Sequence, residues 1–163
     1  MDLSISDVVR LLAAANAARW RGAGPPDDAP AAEAERRLET RFRTSQVLAV
    51  YGTLAPGQPN HHVVAPMGGE WTAGVIEGDL SPMGWGATLG YPAFVPRAGG
   101  ANVAVHVLTA PALADAWPAL DEFEGAGYRR ILVPVFSPAA GDERRLYTVA
   151  NLYAAADGGP GTG

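Results

Sequence analysis

The chain has 163 residues, enough for one domain with its own core, and a formal net charge of −5. It contains no cysteine and no lysine, which excludes disulfides, thiolate chemistry and Schiff-base catalysis. We see no basic stripe, signal sequence or apolar run of about 18 residues, so we expect a cytoplasmic protein that binds neither nucleic acid nor a membrane.

The first 45 residues are predicted to form a helical extension ahead of the main domain. Ser4 and Asp7 have the spacing of a capping box, so we predict a helix over residues 3–20. Its apolar face is expected to consist of Ile5, Val8, Val9, Leu12 and Trp20. Residues 21–30 contain two glycines and three prolines, which is typical of a linker.

A second helix is predicted over residues 31–43, with Leu38 and Phe42 on a thin apolar face. Two expected i,i+4 ion pairs would support it, namely Glu33 with Arg37 and Glu39 with Arg43. We interpret both helices as an appendage that packs on the main domain or as the contact of a homodimer.

Strands predominate from residue 46 onwards, because β-branched and aromatic residues are enriched there and alternate with small or polar ones. The predicted strands cover residues 47–51, 71–80, 92–96, 102–109, 130–136 and 145–154. Asn60 is expected to cap a short helix that runs to residue 64. Another helix is expected to open at Pro111, to break or start a new turn at Pro118, and to end at Gly125. We therefore predict an α+β fold, with a curved sheet or small β-barrel over residues 46–154, a long loop over 82–90, and a flexible tail over 155–163.

Residues 47–54 are the most informative segment of the sequence. Five apolar residues in a row predict a strand that is buried on both faces. Gly52 is expected to let the backbone turn and to let a ligand approach the peptide N–H groups. Consecutive N–H groups in such a turn can bind an anion without a metal or a lysine.

A second informative segment lies about seventy residues further on. Residues 120–125 read Leu-Asp-Glu-Phe-Glu-Gly and are followed by Tyr128 and Arg129. The segment places carboxylates at the predicted end of a helix. Together the two segments predict an anion-binding turn with a carboxylate near it.

The two segments resemble the signature segments of the γ-glutamylcyclotransferase-like (AIG2-like) proteins, in the same order and at a similar separation. Residues 56–62 resemble the continuation of the family's first motif, and residues 90–93 resemble its mid-chain segment. The resemblance covers residues 46–154 and leaves residues 1–45 without a counterpart. It implies a small barrel-like α+β fold that releases 5-oxoproline from a γ-glutamyl amine or peptide.

The resemblance also implies roles for individual residues. Glu124 matches the family's acidic catalyst, and the substrate-binding turn matches Tyr51, Gly52, Thr53 and Leu54. In a γ-glutamyl substrate the α-amine attacks the γ-carbonyl of the same molecule, so the protein needs no nucleophile of its own and we expect no cofactor. Anchoring the α-carboxylate and moving protons remain, and one carboxyl group could move both protons.

The residues around Glu124 predict a raised pKa, because a helix C-terminus, like charges and desolvation all disfavour its ionisation. The neighbours that would supply charge and desolvation are Asp121, Glu122, Leu120 and Phe123. Arg129 and Arg130 would oppose the shift if they turned inward. The alternative is an ordinary solvated glutamate, and we interpret Asp121 and Glu122 as surface or capping residues.

Several other residues keep two interpretations. Tyr128 could hydrogen-bond the substrate or be a core aromatic residue, and Tyr51 could line the pocket or belong to the core. Thr53 could bind the anion or brace the turn. His61 and His62 are adjacent and would point apart on a helix, so we predict no metal site.

Two alternatives to a cyclotransferase remain open at this point. One is a module of the same fold that binds a carboxylate ligand at residues 51–54 without turning it over. The other is an interaction protein that acts through residues 1–45.

Overall fold

The computed structural model of this chain describes residues 3–21, 29–81, 93–138 and 145–156. Most of the predicted linker at 21–30, the predicted loop at 82–90, most of the segment that resembles the family at 90–93, and residues 157–163 of the predicted tail lie outside these residues. The predicted start of the tail at residue 155 is wrong, because Ala155 is the buried last residue of a strand. The predicted α+β fold with a small barrel is confirmed. Among the described residues, no helix combines the length and the hydrophobicity needed to cross a membrane.

Six strands form a single sheet within the described residues: β1 (Val47–Val50), β2 (Glu70–Ser81), β3 (Ala93–Pro96), β4 (Ala101–Thr109), β5 (Tyr128–Phe136) and β6 (Leu146–Ala155). Their order is β3-β2-β4-β1-β6-β5, and a further pairing of β2 with β5 closes five of them into a barrel. Neighbouring strands are antiparallel except β1 and β6, which run parallel. The strand β3 extends the sheet beside β2.

Alternation along the strands separates the barrel interior from its outer face. In β5 the residues Ile131 and Val133 join the interior cluster, while Leu132 between them packs against the N-terminal helices. In β6 the interior residues are Ala150, Leu152 and Ala154. The side chains at positions 151 and 153 therefore lie on the outer face.

The strand β1 is buried on both faces, as its continuous apolar sequence predicts. Val47 and Ala49 belong to the barrel interior. Leu48 and Val50 pack into a second cluster on the outer face, together with Trp117 of the last helix. The carboxyl end of β1 is thus fixed from both sides.

Three α-helices accompany the sheet in the described part of the chain: α1 (Ile5–Trp20), α2 (Ala29–Phe42) and α3 (Trp117–Glu124). The predicted capping box of α1 is confirmed, because the Ser4 hydroxyl accepts a hydrogen bond from the Asp7 N–H and the Asp7 carboxylate accepts one from the Ser4 N–H. A short 3-10 turn (Pro111–Asp115) precedes α3, so the two helical pieces predicted between Pro111 and Gly125 are present, with Pro118 in the first turn of the second piece.

The predicted apolar face of α1 is wrong in part. Ile5 and Val9 are both 54% exposed, whereas Val8 and Leu12 are buried. The buried stripe continues through Ala15 and Ala18, which follow at helical spacing. Small residues that the sequence hides among other alanines therefore form half of the packing face.

The predicted ion pairs of α2 are replaced by other contacts. Glu33 pairs with Arg36 rather than with Arg37. The helix ends at Phe42, and Arg43 follows with a left-handed φ of 54°. Glu39 instead accepts hydrogen bonds from the N–H and hydroxyl of Ser45, which begins the chain's path into β1.

The two N-terminal helices pack together and against the barrel, as the packing interpretation predicts. Val8, Leu12 and Leu38 contact Leu132 of β5 and Val149 of β6 in one buried cluster. Asn16 adds two hydrogen bonds to the backbone of residue 132, at 2.8 and 2.9 Å. A homodimer through these helices stays a prediction, and the exposed pair Ile5 and Val9 is the apolar surface it would use.

Replacing Ile5 and Val9 with glutamate tests the homodimer without disturbing the helix packing, because both side chains are exposed. If they form a dimer contact, burying two carboxylates at the interface should dissociate it, and light scattering should give half the molar mass of the wild type. A wild-type chain that is already monomeric at high concentration would contradict the dimer. A double substitution of the exposed Glu33 and Arg36 to glutamine serves as the control.

Candidate active site

One end of the barrel gathers the residues that the sequence singled out. Tyr51 follows β1 directly, and its hydroxyl donates a hydrogen bond to the carbonyl oxygen of Tyr153 at 2.8 Å. The same hydroxyl accepts one from the N–H of Phe94 at 3.0 Å. The side chain of Tyr51 therefore ties the end of β1 to β6 and to the start of β3.

These contacts decide between the two interpretations of Tyr51 as far as its hydroxyl is concerned. Both hydrogen bonds go to backbone groups, and the ring packs 5.8 Å from the ring of Phe94, centroid to centroid. Tyr51 is thus a structural brace whose ring borders the barrel interior. Any contact with a ligand would come from that ring or from the backbone.

The turn after Tyr51 differs from the expected one in its backbone. Gly52 does not adopt a left-handed φ, so the turn itself does not require glycine. A Cβ placed on Gly52 would have no atom within 4 Å, so the space beside this residue is open. Among the described residues, no acceptor takes a backbone hydrogen bond from the N–H groups of residues 52, 53 or 54.

Gly52 and Thr53 are partly exposed, so their N–H groups can be reached by solvent or by a ligand. Leu54 is only 5% exposed, and its side chain packs in the outer cluster, so only its backbone can face a ligand. The carbonyl oxygens of the turn are occupied instead: that of Gly52 accepts from Ala55 at 3.1 Å and that of Thr53 from Asn60 at 2.9 Å. The turn therefore presents donors and not acceptors.

Asn60 supports this turn and does not cap a helix. Its side-chain amide donates to the hydroxyl oxygen of Thr53 at 3.0 Å, and it makes no capping hydrogen bond. The residues that follow it form only a 3-10 turn, His61–Val63, in place of the expected short helix. Thr53 thus braces the turn, which was one of its two interpretations. His61 adds a bond from Nδ1 to the carbonyl oxygen of Leu54 at 3.0 Å.

Glu124 is the last residue of α3, and Gly125 after it has the positive φ of 82° that ends the helix. Its side chain is half-buried. Burial raises the pKa of this carboxyl group from its ordinary value of 4.5 to about 7. Burial is the main cause that raises the pKa of the hydroxyls of Tyr51, Tyr128 and Tyr153, and the negative charge of Glu124 adds to it in all three, so Glu124 lies near them.

The raised pKa of Glu124 has a simpler cause than the sequence suggested. Desolvation by burial accounts for it, whereas neighbouring carboxylates and the helix end were expected to contribute. Phe123 is 45% exposed and does not belong to the buried surroundings. Leu120, at 1% exposure, is buried in the outer cluster.

The interpretation of Asp121 as a surface residue is confirmed, because its side chain is 46% exposed, but the side chain is also held in place by two partners. Its carboxylate accepts a hydrogen bond of 2.6 Å from the hydroxyl of Tyr153 and one of 2.9 Å from Nε of Arg130. The guanidinium of Arg130 also lies over the ring of Trp117, 4.5 Å from its centroid. Arg130 is therefore held by α3 and does not face Glu124 as a free charge.

Tyr128, the first residue of β5, keeps both of its interpretations. It is half-buried at the edge of the outer cluster, and burial together with the charge of Glu124 raises the pKa of its hydroxyl. No hydrogen bond of this hydroxyl to another described residue is present, so it is available to a ligand. Arg129 beside it donates to the carbonyl oxygen of Trp20 at 3.4 Å, which links β5 to α1.

The profile of the family described as "Gamma-glutamyl cyclotransferase, AIG2-like" matches residues 48–160, which include both signature segments. The chain belongs to this family. Among curated protein sequences, none matches the chain significantly.

Solved structures of AIG2-like proteins have the same fold. The crystal structure of an AIG2-like protein from Mus musculus is 24% identical in sequence, covers 71% of this chain and 80% of its own, and superposes with a TM-score of 0.52. The NMR solution structure of A2LD1 is 23% identical, covers 72% of this chain and 83% of its own, and gives a TM-score of 0.50. At these identities the likeness concerns the fold.

Two residues near the site of this AIG2-like protein were missed by the sequence analysis. Tyr153 holds Tyr51 through its carbonyl oxygen and Asp121 through its hydroxyl. Asn151, two residues earlier on the same outer face of β6, is 1% exposed. Neither lies in a signature segment, and only the pairing of Arg130 with Tyr153 across β5 and β6 brings them to the site.

The residues described in this AIG2-like protein contain no group of three or more histidine, aspartate or glutamate side chains that could hold a metal ion. His62 is held by its own turn, with Nδ1 hydrogen-bonded to the carbonyl oxygen of Pro59 at 3.2 Å. His106 lies on β4, where it pairs with Val50 of β1 and Ala73 of β2. His106 therefore lies on a strand, whereas His61 and His62 are neighbours in one 3-10 turn.

Proposed function

We propose that this protein is a γ-glutamyl cyclotransferase, which releases 5-oxoproline from a γ-glutamyl amine or peptide. One observation carries the proposal: a half-buried carboxyl group, with its pKa raised to about 7, ends a helix at the barrel end where the turn after β1 presents N–H donors that have no acceptor among the described residues. A surface glutamate would have neither property. Family membership supports the same reaction class.

In the proposed reaction the ionised carboxylate of Glu124 removes a proton from the substrate's α-ammonium group. The freed amine nitrogen attacks the γ-carbonyl carbon of the same molecule and closes a five-membered ring. The bond between that carbon and the leaving nitrogen then breaks, and Glu124 returns the proton to the leaving nitrogen. The attacking nitrogen still carries two hydrogens and loses one of them to the released amine. The products are 5-oxoproline and the ammonium form of the released amine, and Glu124 is ionised again.

A pKa near 7 suits a group that must both accept and donate a proton at neutral pH. A glutamate at its ordinary pKa would be too weak a base for an ammonium group. Because nucleophile and carbonyl belong to one substrate molecule, the remaining task is to hold that molecule in a folded conformation.

The turn at residues 52–54 is the proposed anchor for the substrate's α-carboxylate. Its N–H groups have no acceptor among the described residues, and the space beside Gly52 is open. Charge-assisted hydrogen bonds from backbone N–H groups need no basic side chain, which suits a protein without lysine. Tyr128 could add its hydroxyl from β5.

Turnover of a panel of γ-glutamyl compounds is the direct test of this function. The panel should contain glutathione, γ-glutamyl amino acids and γ-glutamyl-ε-lysine, which share one head and differ in the leaving amine. Formation of 5-oxoproline from at least one of them is the expected result. Binding of a γ-glutamyl compound without any turnover would favour the carboxylate-binding module instead.

The pH dependence of kcat/KM should reveal Glu124. Because kcat/KM reports the ionisation of the free enzyme and Glu124 acts first as a base, activity should fall about tenfold per pH unit below about pH 7. Initial rates of 5-oxoproline formation between pH 4 and 9, at substrate concentrations far below KM, would measure this limb. An acidic limb near pH 4.5, the ordinary value, would contradict the assignment.

A further inference from the structure

A continuous line of charged and polar side chains connects the N-terminal helices with α3. Glu35 of α2 pairs with Arg19 of α1 through two hydrogen bonds, at 2.7 and 3.0 Å. Arg19 donates to the side-chain oxygen of Asn151 on β6 at 2.7 Å, and Arg130 of β5 donates to the same oxygen at 2.9 Å. Arg130 then pairs with Asp121 of α3 at 2.9 Å.

Asn151 is the fixed centre of this line. It is 1% exposed, and its amide nitrogen donates to the carbonyl oxygen of Thr44 at 2.7 Å. Since that nitrogen must face a carbonyl, the side-chain oxygen must face the two arginines. The side-chain oxygen of Asn151 thereby accepts hydrogen bonds from the guanidinium groups of both Arg19 and Arg130.

Two guanidinium groups on one oxygen atom repel each other unless each has a negative partner. Glu35 supplies that partner for Arg19, and Asp121 supplies it for Arg130. The side chains of Arg19 and Arg130 are only 18% and 24% exposed, so solvent screens this repulsion less than it would at the surface. Loss of either carboxylate therefore disturbs the arginine at the other end.

The line ends on the helix that carries Glu124. Asp121 precedes Glu124 by three residues in α3, so the two side chains lie on neighbouring parts of one helical surface. Asp121 is held from the barrel by Arg130 and by the hydroxyl of Tyr153. The beginning of α3 is held by Trp117, whose indole N–H donates to the carbonyl oxygen of Ser45 at 3.0 Å.

We propose that the N-terminal helix pair positions Glu124 through the line Glu35–Arg19–Asn151–Arg130–Asp121. In this line Arg19, Asn151 and Asp121 are positioning residues, because they act on α3 and not on the substrate. The inference rests on the proposed catalytic role of Glu124. It also assigns a task to residues 1–45, which lie ahead of the part of the chain matched by the family.

The consequence is measurable at the Glu124 carboxyl group. The hydroxyls of Tyr51, Tyr128 and Tyr153 feel the charge of Glu124, and because their pKa values are raised they stay neutral near pH 7. Burial is what raises the pKa of Glu124, and α3 is the helix that carries this residue. A looser α3 would admit water to the carboxyl group, and its pKa would move down towards the ordinary value.

Glu35→Gln is the first test, with Glu33→Gln as its matched control. Both residues lie on α2 and each pairs with an arginine, but only Glu35 belongs to the line. In a carbon-13 NMR titration, Glu35→Gln should lower the pKa of Glu124 by roughly half a unit, whereas Glu33→Gln should leave it unchanged. The kcat of Glu35→Gln should fall by roughly threefold, because a base whose pKa is lower by about half a unit is weaker by about that factor.

A double-mutant cycle with Asp121→Asn then tests whether the effect travels through α3. Asp121→Asn should lower the pKa of Glu124 by about one unit, and Asp79→Asn, in the exposed pair with Arg97, should not change it. In the Asp121→Asn background, Glu35→Gln should have no further effect, because the line is already broken.

Each outcome decides the proposal. A Glu35→Gln shift that disappears in the Asp121→Asn background supports it. Equal titrations in Glu35→Gln and Glu33→Gln overturn it, as does a Glu35→Gln shift that persists in the Asp121→Asn background. The titration needs no turnover, so a protein that processes no γ-glutamyl compound would refute the proposed function and leave this result readable.

Discussion

Replacing Glu124 with glutamine should abolish the release of 5-oxoproline and, at the same time, stabilise the folded protein above neutral pH. Glutamine has nearly the same shape but cannot transfer protons, so kcat should fall by about 10²- to 10⁴-fold. A γ-glutamyl ligand should still bind, because the proposed anchor at residues 52–54 is intact. Turnover assays and calorimetric binding on the same variant separate the two effects.

The stability gain follows from the raised pKa of Glu124. Its folded value of about 7 exceeds the ordinary value of 4.5, so the folded state binds the proton more tightly than the unfolded state. The stability that this group contributes is therefore fully present below about pH 4.5 and is lost as the pH rises to about 7. The half-buried position lets solvent screen part of the cost, which leaves on the order of 1–2 kcal/mol for the glutamine variant to recover at pH 8.

Urea unfolding at pH 4.5 and pH 8 measures this difference. The two proteins should be nearly equally stable at pH 4.5 and should separate by pH 8. Glu122→Gln is the matched control, since Glu122 is exposed on the same helix and should change neither turnover nor the pH dependence of stability. A glutamine variant that keeps its activity, or that gains nothing at pH 8, contradicts the assignment of Glu124.

The strands could be predicted from the sequence because their alternation is itself the cause of the barrel. Positions 131, 133 and 135 of β5 face the barrel interior, and position 132 faces the helices. The packing therefore follows directly from the sequence pattern. The closure of β2 on β5 is different. The closure rests on the single pairing of Val75 with Phe136, and no local sequence pattern in either strand predicts this pairing.

Some features of the candidate site could likewise be predicted from the sequence, and others could not. The end of α3 could be predicted, because Gly125 supplies a positive φ directly after Glu124. The burial of Glu124 and its nearness to Tyr51 could not, since they depend on where the barrel places residues that are seventy positions apart. The resemblance to the family supplied that link where spacing alone did not.

The polar line through Asn151 could not be predicted from the sequence, for a physical reason. A buried asparagine is recognised by its partners, and its partners lie on α1, β5 and the turn before β1. Arg19 and Asp121 look in the sequence like ordinary surface charges of two amphipathic helices. The strand register sets Leu132 opposite Asn151 and Arg130 opposite Tyr153. This register brings Arg130 and Asn151 together, and it cannot be read from the sequence of either strand alone.

Gly52→Ala should separate substrate binding from stability. A Cβ at this position meets no protein atom within 4 Å and the backbone is not left-handed, so the fold should tolerate it. Stability should stay the same or rise by up to about 1 kcal/mol, because alanine restricts the unfolded chain. The added methyl group would occupy the open space where the proposed carboxylate approaches the N–H groups, and kcat/KM should fall on the order of 10²-fold.

Gly99→Ala provides the inverse control for this prediction. Gly99 has a φ of +74° and lies between β3 and β4, so alanine there should destabilise the protein by about 1 kcal/mol and leave kcat/KM unchanged. The two glycines are thus needed for different reasons. Gly99 adopts a left-handed backbone conformation, and Gly52 leaves space for the proposed substrate carboxylate. Urea unfolding and 5-oxoproline assays on both variants check this contrast. A Gly52→Ala protein with wild-type kcat/KM would show that the space beside the turn is not where the substrate's carboxylate binds.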